Sequence, residues 1–154
     1  MRQTTSVRAR LIGGALFLCL FASSAQAQSA ADTLGIRTAA MDYIEGWYTG
    51  DAARMERALH PELVKRVVIV DAKNNRAVLE SISALTLILR TRAGGGSHTP
   101  AERQQKDFTI LDIFSNAAVA KVIASDWVDY LELAKWNGRW LIVNVLWEYK
   151  PKAP

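Results

Sequence analysis

The run WVDYLELAKWNGRWLIVNVLWEY, residues 127–149, decides the fold. Two stretches rich in β-branched and aromatic residues flank Asn137-Gly138, a pair suited to the two positive-φ positions of a tight hairpin turn. A regular hairpin on that turn sets Leu133 opposite Ile142, Leu131 opposite Asn144 and Asp129 opposite Leu146. One side then carries Trp127, Asp129, Leu131, Leu133, Ile142, Asn144, Leu146 and Glu148. The other carries Val128, Tyr130, Ala134, Leu141, Val143, Val145, Trp147 and Tyr149. Both sides are mostly apolar, whereas a sheet with one wet face alternates cleanly. One face can cover helices; the other needs a second cover. Either an isologous homodimer forms through the sheet, or the chain's own helices and tail cover both faces.

Working outward, residues 106–114 and 118–125 read as two more strands, with a turn at Asn116-Ala117 that sets Asp112 against Lys121 as an ordinary cross-strand ion pair. Upstream, a helix is expected from near Asp32, with Ile36, Ala40, Tyr43, Ile44 and Trp47 on one stripe. Gly50 suits the left-handed residue after that helix, and Asp51 can cap the next one. The second helix is short, turns Ala52, Met55 and Leu59 inward, and stops at His60-Pro61. Residues 63–70 form a first strand, Asn74-Asn75 a turn, and residues 83–91 a third helix. The glycine-rich stretch 94–100 reads as a mobile loop. No Lys-Ser/Thr follows its glycines in a strand-loop-helix setting, so a phosphate loop is set aside. Helices followed by a long antiparallel meander make an α+β domain.

The first residues read as an export signal. Arg2, Arg8 and Arg10 form a basic start, residues 11–22 an apolar core, and Ala25-Gln26-Ala27 a small-x-small cleavage site. That core is shorter than the roughly 20 residues that span a bilayer. The expected organisation is a cleaved signal peptide over 1–27, a disordered tail over 28–31, one domain over 32–150 and a short tail over 151–154. A periplasmic or secreted location follows, with no membrane attachment after cleavage. Cys19 is the only cysteine and lies in the leader, so the mature chain has no disulfide or thiol chemistry. Three of the 19 basic residues also lie in the leader, leaving 16 against 15 acidic ones. A near-neutral domain gives no footing for nucleic acid.

Asp129 stands out as a carboxylate on an apolar strand face. It is either a satisfied structural group or part of a ligand pocket. The two histidines, His60 and His98, do not make a zinc set without cysteine, and no metal or cofactor is expected. His60, before a proline, reads as a helix-end residue more readily than as a base.

Stretches at both ends of the domain carry a resemblance: AAMDYI (39–44), Gly50-Asp51 and LHPE (59–62) at its start. So do ILDIF (110–114), VDYL (128–131) and WLIVNVLWE (140–148). They resemble nuclear-transport-factor-2-like domains, and the later ones the putative lumazine-binding branch. The resemblance implies a cone-shaped, cystatin-like α+β fold with a pocket between the helices and a curved sheet. Superfamily members include ketosteroid isomerases and SnoaL-like polyketide cyclases, and many are binding modules. Ketosteroid isomerase pairs a tyrosine with a protonated aspartate in its oxyanion hole. By position these are similar to Tyr43 and Asp129, and burial would favour a neutral acid able to donate to a ligand carbonyl. The isomerase's base falls near Val67, which cannot take a proton.

The resemblance therefore implies a small-molecule-binding domain with a pocket lined by Tyr43, Trp47, Asp129, Leu131 and Asn144. A heteroaromatic, carbonyl-bearing ligand fits that branch. A metal-free isomerase, cyclase or dehydratase would need a base from Asp71, His60 or Glu148. A dimeric interaction module without ligand is the third possibility.

Overall fold

The computed structural model describes residues 13–71 and 73–151, with side chains from residue 30 onward. The expected leader, 1–27, lies outside the residues whose side chains are described. The chain divides into two units, Met1–Asp32 and Thr33–Pro154. The first unit is helical where described, and α1 spans Gly13–Thr49. Residues 28–31, expected as a disordered tail, therefore lie in helix. Gln28-Ser29-Ala30-Ala31 contains no glycine or proline to interrupt one. Among the described residues no helix is long and apolar enough to cross a membrane.

In the second unit α1 buries Ile36, Ala39, Ala40, Tyr43, Ile44 and Tyr48, a stripe at steps of three and four. Gly50 takes a φ of 69° after it. Asp51 then caps α2, Ala52–Ala58, by accepting from the Arg54 amide. Strand β1, Leu59–Asp71, starts at once. His60-Pro61 thus sits inside a strand, not at a helix end. Pro61 falls where pairing with the last strand shifts register, so its missing N–H costs no ladder bond.

Strand β2, Arg76–Ser83, returns antiparallel to β1 and was not anticipated. It is an edge strand with Arg76 and Glu80 breaking its apolar pattern. Then follow α3, Ala84–Arg92, capped by Ser83, and β3, Asp107–Phe114. Strands β4, Ala117–Ile123, β5, Trp127–Trp136, and β6, Arg139–Tyr149, complete the chain. The sheet order is β2-β1-β6-β5-β4-β3. Neighbours are antiparallel except β1 and β6, which run parallel. Three helices pack against this curved, open sheet, and the core lies between them: Ile36, Ile44, Met55, Leu63, Val122, Leu131, Leu133, Ile142 and Val145.

Two bulges correct the expected registers. The Asn137-Gly138 turn forms, and Leu133 faces Ile142 as expected. Then Glu132 faces Asn144, leaving Val143 as an extra residue. One inserted residue reverses which face every later side chain takes. Asp129 therefore faces Trp147 and Leu131 faces Val145, while Asn144, Leu146 and Glu148 turn to the opposite face. In the second case the turn sits at Ser115-Asn116, one residue early, and Leu111 bulges. Asp112 then faces Val119, and Lys121 faces Thr109, so the expected Asp112–Lys121 pair does not form.

The face away from the core leaves Val68, Leu79, Tyr130 and Leu146 about half exposed.

Candidate functional site

Lys65 is the polar residue that organises the site. Leu63, Lys65 and Val67 alternate onto the core face of β1 and all are buried. Its ammonium lies 2.5 Å from Oδ1 of Asp129 and 2.6 Å from the Tyr43 hydroxyl, to both of which it donates. On the other carboxylate oxygen, Oδ2 accepts from the Tyr43 hydroxyl at 3.1 Å and from the Trp127 indole N–H at 2.7 Å. The ammonium also sits 4.8 Å from the ring centre of Trp147 and 5.3 Å from that of Tyr43, within cation–π range. Asp129 is 0% exposed, Tyr43 3% and Lys65 7%.

A carboxylate this deep is tolerated because all its neighbours donate to it. The expected role of Asp129 is thereby corrected. It accepts three hydrogen bonds and faces a cation, so it is not placed to offer a proton to a ligand carbonyl. Burial lowers the Lys65 pKa from its ordinary value even against the pull of Asp129. Burial first, and then the Asp129 charge, push the Tyr43 hydroxyl well above the usual tyrosine value.

A cavity of about 290 Å³ opens from this cluster. Trp47, Trp127, Trp147 and Tyr149 wall it, and Lys65 and Tyr43 meet it at its buried end. The exposed side chains Arg90, His98 and Asp126 stand at its mouth. Trp147 and Tyr149 meet edge to face at 4.6 Å, as do Trp47 and Trp127 at 6.4 Å.

The glycine loop holds Trp47 in place. The Gly96 amide donates to the Trp47 carbonyl at 2.9 Å. A Cβ on Gly95 would lie 2.6 Å from that carbonyl oxygen, and one on Gly96 2.6 Å from the Trp47 indole nitrogen. Gly95 and Gly96 thus let backbone pack on an aromatic ring, so the stretch expected as a mobile loop lies against Trp47.

Of the expected pocket residues, Tyr43 and Trp47 line the cavity, and Asp129 lies behind its wall, bonded to Tyr43 and Lys65. Leu131 is buried in the core opposite Val145, outside the cavity wall. Asn144 is on the other face, accepting from Arg66 and donating to Glu132, each at 2.9 Å. None of the three base candidates reaches the cavity. His60 packs edge to face on Trp136 at 5.1 Å and accepts from the Glu62 amide. Asp71 caps the β1–β2 turn at the Lys73 amide, and Glu148 faces Val128 on the far side. Sequence reasoning missed Lys65. The signal was there: in a strand buried on one side, adjacent Lys65 and Arg66 cannot both face water.

An aromatic-walled cavity between helices and a bent, mostly antiparallel sheet defines a nuclear-transport-factor-2-like domain. The chain belongs to the family described as putative lumazine-binding, which it matches over residues 31–148. It is similar in fold to an NTF2-like protein of unknown function from Shewanella baltica, with 21% identity over 79% of this chain and 95% of that one, at a TM-score of 0.61. An NTF2-like protein with a cystatin-like fold from Novosphingobium aromaticivorans is 12% identical over 84% and 89%, at 0.62. No curated protein matches the chain.

Proposed function

We propose that this chain binds a small, planar, carbonyl-bearing ligand, in keeping with the family's description. One observation carries the reading: a cavity with four aromatic walls ends on a buried ammonium fixed by Asp129 and Tyr43. Rings supply stacking surface, and a donor at the closed end selects a ring carbonyl over a bare hydrocarbon. We extend the proposal to an exported protein that pairs with a second copy through the outer sheet face. There Val68, Leu79, Tyr130 and Leu146 lie exposed among Arg66, Glu132 and Glu148, a mixture able to match its own symmetry mate.

Titration with lumazine, followed by quenching of tryptophan fluorescence, tests the ligand reading. Binding to the wild type that weakens at least about tenfold in Lys65→Met, with the fold intact, supports it. Equal affinity for lumazine and naphthalene would remove the carbonyl preference. Sedimentation tests the dimer: wild type should run as two copies and Leu146→Asp as one.

A further inference from the structure

We propose that Lys65 is a reactive amine that forms a reversible imine with aldehyde- or ketone-bearing ligands in the aromatic cavity. The inference rests on the reading that this cavity admits a small carbonyl compound, and adds covalent chemistry to it. Among the described residues Lys65 is the one buried lysine. Lys65 lines the cavity, and its nitrogen lies beside the lining residues Tyr43 and Trp147, so a carbonyl carbon seated between the rings can approach it.

The neighbours supply the proton traffic. The ammonium passes a proton to Asp129 across 2.5 Å, which frees the nitrogen lone pair. That pair adds to the carbonyl carbon, and the new alkoxide takes up the second nitrogen proton through the Tyr43 hydroxyl, 2.6 Å from Nζ. The resulting carbinolamine hydroxyl receives the proton held on Asp129, relayed by the Tyr43 hydroxyl that reaches both Asp129 and the cavity, and leaves as water, giving a protonated imine. Lysine ammonium and carbonyl have become iminium and water, with no redox change. The positive charge stays on nitrogen, so Asp129 keeps its cationic partner throughout. A burial that disfavours the charged lysine helps the first step.

The test exposes the protein to 2-naphthaldehyde with sodium cyanoborohydride, which reduces an imine to a stable secondary amine. Peptide mass spectrometry then locates the naphthylmethyl group, while tryptophan quenching reports whether the ring enters. Labelling of Lys65 at least about tenfold faster than of exposed lysines, suppressed there by excess naphthalene, is expected. Asp129→Asn, which keeps the lysine, should slow labelling on the order of 100-fold. Lys65→Arg retains a cation beside Asp129 and should lose that label while still quenching. Quenching without label at Lys65 overturns the imine and leaves the binding reading standing. Neither quenching nor label at Lys65 overturns both.

Discussion

Lys65 and Arg66 are adjacent, yet each anchors a polar cluster on a different face of the sheet. Lys65 joins Tyr43, Asp129 and Trp127 on the buried core face. Arg66 joins Asn144 and Glu132 on the outer face. The bond lengths on the outside are as good as those inside, so geometry does not separate the clusters. Solvent does. Outside, water replaces a lost partner and screens the charges. Inside, losing a partner strands a charge in a medium that solvates it poorly.

The largest effect should come from removing one inner partner. Asp129→Ala is expected to cost about 3–5 kcal/mol in urea unfolding, because it leaves the Lys65 ammonium buried and unpaired. The double change Lys65→Met with Asp129→Leu should recover most of that loss. A double variant as unstable as the single one would show that packing, not charge, governs the cluster.

Next comes Tyr43→Phe, expected to cost about 1–3 kcal/mol by leaving the carboxylate short of a donor. It also carries a pH signature. Folding raises the Tyr43 pKa, so its contribution is fully present below the ordinary tyrosine value of 10.0 and fades as pH rises above it. The stability gap between wild type and Tyr43→Phe should therefore narrow above pH 10. Lys65 has the opposite slope. The unfolded state holds more protons between its lowered pKa and the ordinary 10.5, so its contribution rises with pH across that window. A gap that stays constant in alkaline buffer would show the Tyr43 hydroxyl to be neither buried nor set against Asp129.

Gly96→Ala should cost about 1–2 kcal/mol, since its Cβ meets the Trp47 indole. The smallest effect belongs outside. Glu132→Gln should change stability by less than about 1 kcal/mol, and added salt should erase the difference. If it matched Asp129→Ala, the outer cluster would have to be buried in solution, as a sheet-to-sheet dimer would bury it.

These two clusters also mark what the sequence could show. The Asn137-Gly138 hairpin, the Tyr43 stripe and the cap at Asp51 rest on local chemistry, and each formed. Asp129 and Tyr43 were legible because a polar group on an apolar stripe is conspicuous. Asn144 was misplaced because the bulge at Val143 has no local signature: a valine among valines and leucines pairs or bulges according to what packs beneath it. Lys65 was hidden because its face depends on strand parity, which was not followed along β1. Strand β2 escaped notice because an edge strand with little to bury carries little pattern.

The sheet has a single seam of unlike direction. β1 and β2 form one hairpin, β3 to β6 one meander, and among the described residues only the parallel pairing of Lys65 with Val145 and its neighbours joins the two in the sheet. That seam links residues some eighty positions apart and needs the last strand of the chain, so loop-closure entropy makes it a slow contact. Lys65 stands on one side of it, and Asp129 and Trp147 on the other. The Lys65–Asp129 contact therefore forms only when the two halves of the sheet meet, and indole fluorescence from Trp147, which the ammonium faces, offers a clock for that moment.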